Sequence, residues 1–370
     1  MYTYLQHKIA ESHPEWKEHH VKNTLLMVLL LLSKRTVNLW KLKDSISSCL
    51  GNDQTDVRSH YQRIKRWFWE GGQTPIWLAM LQYSFRLLSN KSEWLIVDGT
   101  SWQRGGKTVH FLTLSVLYQG VSVPVWWVEL GHLGQSSQWH RRLLLRTAAK
   151  VACLSGKTLV GDREYIGTDW FSTLKEQGLG MVIRLRKTDY RSQIDRKGRP
   201  VSKMEKQAAG NLHRPFWKKV EIAGQHYYFV LLAYGQRNGK PDYLRLLSTL
   251  PPAKAVAGYR IRYRIESMFK HMKSNGFDLE VINLKRDYKV RQMMALVVLS
   301  YTLAVVEGLT DFKKKIRLKK HGFPEKSVFR WGIAKWGKYL GSFKKFCRRA
   351  GTYLDKISNQ ENSLIHAHVP

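Results

Sequence analysis

The order of strand-like and helix-like runs between residues 94 and 185 constrains this chain more than any other feature. Three long apolar runs come first: WLIVD from Trp94, KTVHFLTLSVLY from Lys107, and VSVPVWWVEL from Val121, with Gly120 at the second junction. β-Branched and aromatic residues dominate these runs, as they do in strands. Short connections, one of them the pair Gly105-Gly106, predict an antiparallel meander. Next come a helical stretch over residues 137–152, the run TLVGD, a helix over 170–177 and the run MVIRL. The order βββαβαβ predicts an α/β domain built on a mixed sheet.

Both flanks differ from this core. Residues 19–90 carry helical signals, with Gly51-Asn52-Asp53 as a turn and Thr55 as the N-cap of a helix. In that helix Val57, Tyr61, Ile64 and Phe68 form one stripe and leave Arg58, Arg63, Lys65 and Arg66 off it. Such a helix suits a DNA groove, and equally an ordinary amphipathic helix with a solvated basic face. Residues 187–250 open with a basic loop, RKTDYRSQIDRKGRP, and continue as strands near KKVEI, HYYFVLLAY and YLRLLSTL, which reads as a β-rich insertion. Helices resume after Pro251-Pro252, one reaching about Asn275 and another spanning 288–306. Residues 311–350 hold 14 Lys and Arg against 2 Asp and Glu, with Trp331 and Trp336 interleaved. This predicts a helical DNA or subunit surface, followed by a polar, disordered tail from Asp355. The expected divisions are 1–90, 91–186, 187–250, 251–310 and 311–370.

Charge narrows the partners. The chain has 370 residues, with 62 Lys and Arg against 28 Asp and Glu, a formal charge of +34. A polyanion must offset that self-repulsion. Nucleic acid fits best, while an anionic membrane or an RNA-rich assembly is not excluded by charge alone. The 43% hydrophobic content argues against a disordered chain. Cys49, Cys153 and Cys347 are far apart and lack CxxC spacing, so they suggest neither a disulfide framework nor a zinc site. The most apolar run, Leu25 to Leu32, falls well short of the roughly 20 residues that cross a bilayer. With no secretory leader at the N-terminus, the expectation is a cytoplasmic protein with no membrane partner.

Two acids end apolar runs: Asp98 after WLIV and Asp162 after TLVG. Carboxylates at neighbouring strand tips can hold a hard cation, which relieves their mutual repulsion, although a strand-end Asp is also a common turn former. A third candidate lies in YRIRYRIESMFKHMK, residues 259–273. On a regular helix Tyr259, Arg262, Glu266 and Lys273 fall at roughly 0, 300, 340 and 320°, and Ile261, Ile265, Met268 and Met272 at roughly 180–240°. One face is then polar and the other packs on the sheet. Arg262 and Glu266 also make an ordinary i, i+4 ion pair.

These residues resemble the bacterial insertion-sequence transposases with a DDE triad, in the branch named after insertion sequence four. That branch carries the spacing Tyr-x2-Arg-x3-Glu-x6-Lys, matched here by Tyr259, Arg262, Glu266 and Lys273. Its second acid lies in a DRE pattern, matched by Asp162, Arg163 and Glu164, and IVDGT around Asp98 agrees more loosely. The resemblance covers about residues 90 to 310. It implies an RNase H-like core, with Asp98, Asp162 and Glu266 as catalytic and metal-binding residues for two Mg²⁺ or Mn²⁺ ions.

It further implies metal-dependent cleavage at transposon terminal inverted repeats and strand transfer into target DNA, by a homodimer associated with the bacterial nucleoid. Tyr259, Arg262, Lys273 and Arg163 would contact DNA, with Arg58, Arg63 and Arg66 of the N-terminal helix. Relatives stack a displaced base on a tryptophan in the β insertion. Here the matching stretch KPDYLRLL offers Tyr243, with Trp217 earlier, and either can instead be a core residue. No HExxH, GxSxG or GxxxxGK[ST] occurs. His19, His20, His140 and His271 are expected at the surface or on phosphate. The alternatives are an RNase H-like nuclease that does not rejoin DNA, and a silent DNA-binding repressor derived from a transposase.

Overall fold

The computed structural model describes residues 13–51, 55–71, 76–88, 92–104, 107–237, 240–320 and 322–366, with His7 and Ile9. The chain divides into two compact units, Ser92–Ser101 with Val109–Ser267, and Met1–Lys91 with Trp102–Thr108 and Met268–Pro370.

The first of these is organised by one eight-stranded sheet. Its strands are β1 (Trp94–Arg104), β2 (Lys107–Tyr118), β3 (Val121–Glu129), β4 (Thr158–Gly161), β5 (Gly180–Arg184), β6 (Phe216–Ile222), β7 (Gln225–Arg237) and β8 (Lys240–Ser248), in the spatial order β3-β2-β1-β4-β5-β8-β7-β6. β2 and β3 pair antiparallel, as the meander requires, and β1-β4 and β4-β5 pair parallel. The pair Gly105-Gly106, read as the hairpin turn, lies outside the described residues. Every residue of β4 is buried, as expected of a parallel strand covered on both faces. β6 alternates and carries Lys218 and Lys219 at the sheet edge, where charge discourages further pairing. The sheet is mixed and the acids stand at its parallel centre, so the RNase H-like expectation holds.

The segment read as a β-rich insertion is β-rich, and its strands join the central sheet rather than standing apart from it. β8 pairs with β5 through Val182↔Ser248 and Ile183↔Leu247, extending the central sheet. Its basic start is not a plain loop, because it folds into two short helices, 191–195 and 201–209. Asp195 accepts from Arg191 Nε at 2.6 Å and from the Val201 amide at 2.7 Å, which gives this polar stretch local closure that hydrophobic periodicity cannot signal.

Helices cover the sheet: α6 (Gln138–Ala148), α7 (Thr168–Glu176) and α10 (Pro252–Arg260), where α8 and α9 are the two short helices just named. Ala255 and Val256 of α10 pack with Val160, Val182, Val230, Leu244 and Leu246. A Cβ on Gly258 would come within 2.3 Å of the Trp94 ring, so glycine is what lets α10 lie this close. The long helix expected to reach Asn275 breaks at residues 261–263, and α11 runs Arg264–Met272. Amides of Ile261, Arg262, Arg264, Ile265 and Glu266 bond three residues back rather than four. The turn is therefore tighter than α-helical, and the expected angles do not hold across it. Ile265, Met268 and Met272 are buried as predicted, but Ile261 is only half-buried.

The second unit is helical. It contains α1 (Glu18–Lys34), α2 (Leu39–Lys43), α3 (Ile46–Leu50), α4 (Val57–Glu70), α5 (Ile76–Arg86), α12 (Asp287–Leu309), α13 (Phe312–Lys315), α14 (Val328–Trp336) and α15 (Phe343–His366). Asp56, not Thr55, precedes α4, and Asn52 and Asp53 of the predicted turn lie outside the described residues. Ile64 and Phe68 are buried as the stripe predicts, whereas Val57 is exposed and Trp67 takes its place in the core. α12 is long and apolar enough to cross a membrane by length and composition, but 83% of its apolar window is buried inside the protein. It packs against α1, α5 and α14 as a core helix.

The carboxyl-terminal region departs most from expectation. Trp336 is fully buried and Trp331 donates to Asp311 at 2.9 Å, so these aromatics hold the fold together rather than line a surface. Glu307, 1% exposed, takes Arg349 at 2.7 Å and Lys335 at 3.3 Å. Part of the basic run is thus neutralised internally, while Lys313, Lys314, Lys319, Lys320, Lys326 and Lys344 face solvent. The tail is helical to His366 rather than disordered. Removing one partner of a buried ion cluster strands the other charges, so Glu307→Ala should destabilise the protein by about 3–5 kcal/mol. Urea denaturation checks this, and a loss well under about 1 kcal/mol would mean that the cluster is dispensable.

Candidate active site

The parallel register sets the site. Trp94, Leu95 and Ile96 of β1 stand against Thr158, Leu159 and Val160 of β4. The same offset carried two residues further puts Asp98 beside Asp162. On the other side Gly161 pairs with Ile183 of β5, so the next residue along, Arg184, stands beside Asp162. Where the parallel pairing ends, three neighbouring strands therefore present acid, acid and arginine, although β1 itself does not end at Asp98 as its apolar run suggests but continues to Arg104. Sequence reasoning found the two acids and missed Arg184, although it too ends an apolar run, MVIR.

Asp98 is confined on several sides. Its Oδ1 accepts from the Gly99 amide at 2.9 Å and its Oδ2 from Arg262 Nη1 at 2.7 Å. Burial pushes its carboxyl up to about 6, against the pull of Arg262 and the Gly99 amide, and the charges of Glu164 and Asp162 push the same way as burial. β1 continues through Gly99, where a Cβ would sit 2.7 Å from His110 Nε2 and the imidazole would have to shift.

Arg262 also reaches Glu266, Nη2 to Oε1 at 2.7 Å. The i, i+4 pair read from sequence is present. Its second arm, on Asp98, is what local spacing cannot explain: one guanidinium joins an acid on β1 to an acid on α11. Glu266 is 59% exposed on its side chain and Asp98 21%.

Asp162 has its own contacts. Its Oδ1 accepts from the Arg163 amide at 2.9 Å and from the Tyr259 hydroxyl at 3.3 Å, with Arg184 Nη1 3.9 Å away. Burial, with the nearby Asp162 charge, pushes the Tyr259 phenol above its ordinary value, so it remains an O–H donor at neutral pH. The loop beyond Asp162 is fixed by Arg141, a buried residue that sequence reasoning passed over. Its guanidinium donates to the carbonyls of Glu164 at 2.7 Å, Ile166 at 3.1 Å and Ser136 at 2.9 Å.

Asp98, Asp162, Glu266, Tyr259 and Arg262 thus lie together, with Arg163 exposed beside them. The other residues picked from sequence have surroundings of their own. Lys273 belongs to the helical unit, half-buried with its ammonium 5.8 Å from the Trp102 ring centre. Arg58, Arg63 and Arg66 also belong to that unit, with Arg58 and Arg66 exposed and Arg63 half-buried. Trp217 on β6 is 52% exposed and meets Tyr228 edge-on at 5.7 Å. Tyr243 is partly buried, donating to the Glu205 carbonyl at 3.1 Å under the Arg245 guanidinium, which leaves little free ring. The histidines differ from expectation too. His20 is buried, and His140 pairs with Ser137 in a capping box on α6. His271 stacks on Phe329 at 4.7 Å, where burial lowers its pKa to about 4 and keeps it neutral.

Three carboxylates without sulfur or imidazole form a donor set for a hard divalent cation. The fit is visible in Arg262, whose charge stands in for a cation where Asp98 and Glu266 converge. Their oxygens and those of Asp162 do not all fall within 4.8 Å of one another in this arrangement.

The family profile described as the transposase DDE domain matches residues 89–303, more than half of the chain. Among solved structures, the chain is similar to a piggyBac transposase in a cryo-EM synaptic complex with hairpin DNA, at 12% identity and a TM-score of 0.46, covering 93% of this chain and 76% of that one. No curated protein sequence matches the chain.

Arg262→Gln removes the cation that favours the Asp98 carboxylate. The Asp98 pKa should then rise further above about 6, as followed by carboxyl NMR titration of the metal-free protein. An unchanged titration would contradict the ion pair.

Proposed function

The chain belongs to the transposase DDE-domain family, and on that premise we propose that this DNA transposase cuts at the terminal inverted repeats of its own element and joins the freed ends to target DNA. Asp98, Asp162 and Glu266 are the metal-binding catalytic residues in this reading. The observation that carries it is the β1-β4 register, which sets Asp98 beside Asp162, together with the single guanidinium that ties Asp98 to Glu266. Bound there, two Mg²⁺ or Mn²⁺ ions would supply Lewis-acid activation of the attacking oxygen and charge neutralisation at the leaving oxygen of an in-line displacement.

The chain's own residues orient the DNA. Arg262 can exchange its two carboxylates for phosphate oxygens, since a guanidinium forks equally well onto either. Tyr259 offers a hydroxyl donor beside Asp162, and Arg163 an exposed cation on the same loop. With Tyr259, Arg262 and Glu266, Lys273 completes the spacing of the insertion-sequence-four branch, to which we assign the chain. The exposed Trp217 is a better platform for a displaced base than the hydrogen-bonded Tyr243. Water and a 3′-hydroxyl are both nucleophiles that one site of this kind accepts, so cleavage and joining need no covalent enzyme intermediate. A homodimer pairing two ends would coordinate the cuts.

Two outcomes test the reading. Asp98→Asn, Asp162→Asn and Glu266→Gln should each abolish Mn²⁺-dependent nicking of end-containing DNA and its joining to a target plasmid, while gel-shift binding persists. Nicking without joined products in the unaltered protein would favour a nuclease instead. Because the Asp98 carboxyl titrates near 6, a divalent ion must displace its proton at lower pH. Mn²⁺ affinity should therefore fall about tenfold per pH unit below that point, measured by calorimetry, and a flat profile between pH 7 and pH 5 would count against Asp98 as a ligand.

A further inference from the structure

A second group of ligand-type side chains lies in the helical unit, where α1 begins and α4 ends. His19 and His20 follow Glu18 in the first turn of α1, and Glu70 is the last residue of α4. His19 Nε2 and His20 Nε2 each stand 3.3 Å from Glu70 Oε2, and the three atoms lie within 4.8 Å of one another. That spacing is long for a charge-assisted hydrogen bond, which runs at about 2.7–2.9 Å. Glu70 Oε2 is buried, and the two imidazoles stand at ion-pair distance from it. The spacing fits the edge of a tetrahedral coordination shell, because bonds of about 2.0–2.1 Å to imidazole nitrogen and carboxylate oxygen put neighbouring ligand atoms about 3.3–3.4 Å apart.

His20 is 7% exposed and its Nδ1 is buried without a partner. The site is also braced. Thr24 Oγ1 donates to the His20 carbonyl at 2.8 Å and accepts from Trp67 Nε1 at 3.0 Å, which fixes the first turn of α1 to the last turn of α4 through buried bonds. The His19 side chain is half exposed, leaving room for water as a fourth ligand.

We propose that His19, His20 and Glu70 bind one tetrahedral transition-metal ion of the zinc class and thereby fasten α1 to α4. Two imidazoles and one carboxylate select such an ion over Mg²⁺, which takes oxygen ligands. The site belongs to the helical unit and does not depend on the role of the three acids.

The test uses the full-length, metal-stripped protein titrated with Co²⁺, with Zn²⁺ as competitor. One equivalent of Co²⁺ should produce the strong visible absorption of tetrahedral cobalt, Zn²⁺ should abolish it, and Zn²⁺ should raise Tm. Glu70→Gln and His19→Ala, the second at a half-exposed position that tolerates truncation, should each weaken binding by more than about a hundredfold, beyond what loss of a supporting residue does. The Asp98→Asn/Asp162→Asn double variant should keep the absorption, which locates it away from the acid site. The proposal is overturned if one equivalent of Co²⁺ gives no tetrahedral spectrum, or if both ligand variants bind as tightly as the unaltered chain.

Discussion

Like charges gathered where the parallel strands of the sheet stop pairing repel, and the protein meets that repulsion with one arginine. Asp98 is buried enough for its carboxyl to be held near 6, with Asp162 and Glu164 adding to the strain. Arg262 offsets it with one arm and takes Glu266 with the other, both at 2.7 Å. The positions of the remaining groups follow from that arrangement. α10 must lie close on the sheet, which Gly258 permits against Trp94, so that its own last turn delivers Tyr259 to Asp162 and the turn after it delivers Arg262 to β1. A positive group that binds two acids without ordering them around an ion is a form of preorganisation, since it holds negative charge in place until a stronger cation competes for it.

The parts of the site carried by strand ends could be read from the sequence. An apolar run closed by Asp marks the end of the parallel pairing at both acids, but only Asp162 follows the end of its strand, since β1 runs past Asp98 to Arg104. Arg184 obeys the same rule and was missed because a lone Arg at the end of a strand is common on any surface. The break at residues 261–263 was invisible for a different reason. YRIRYRI contains neither Gly nor Pro, and local propensity gives no cause for the chain to tighten there. The tight turn forms where Arg262 reaches β1, a long-range contact that periodicity does not encode.

The basic regions show the same limit. Counting 14 Lys and Arg in residues 311–350 says that the segment is cationic, but not that Lys335 and Arg349 are committed to Glu307. Nor does it say that Trp336 is buried. A charge run with interleaved aromatics reads as a surface until burial is known. Charge not compensated inside the fold remains available for a polyanion, and it includes exposed lysines such as Lys313, Lys314 and Lys344.

The central claim is that Asp98, Asp162 and Glu266 share divalent ions. Anomalous diffraction at the manganese edge, from crystals grown with Mn²⁺, tests it most directly. The account predicts manganese density against the carboxylates of Asp98 and Asp162, with Arg262 withdrawn from Asp98 and Glu266 turned to the ions. Manganese bound only elsewhere, with the Arg262 bridge intact at saturating metal, would contradict it.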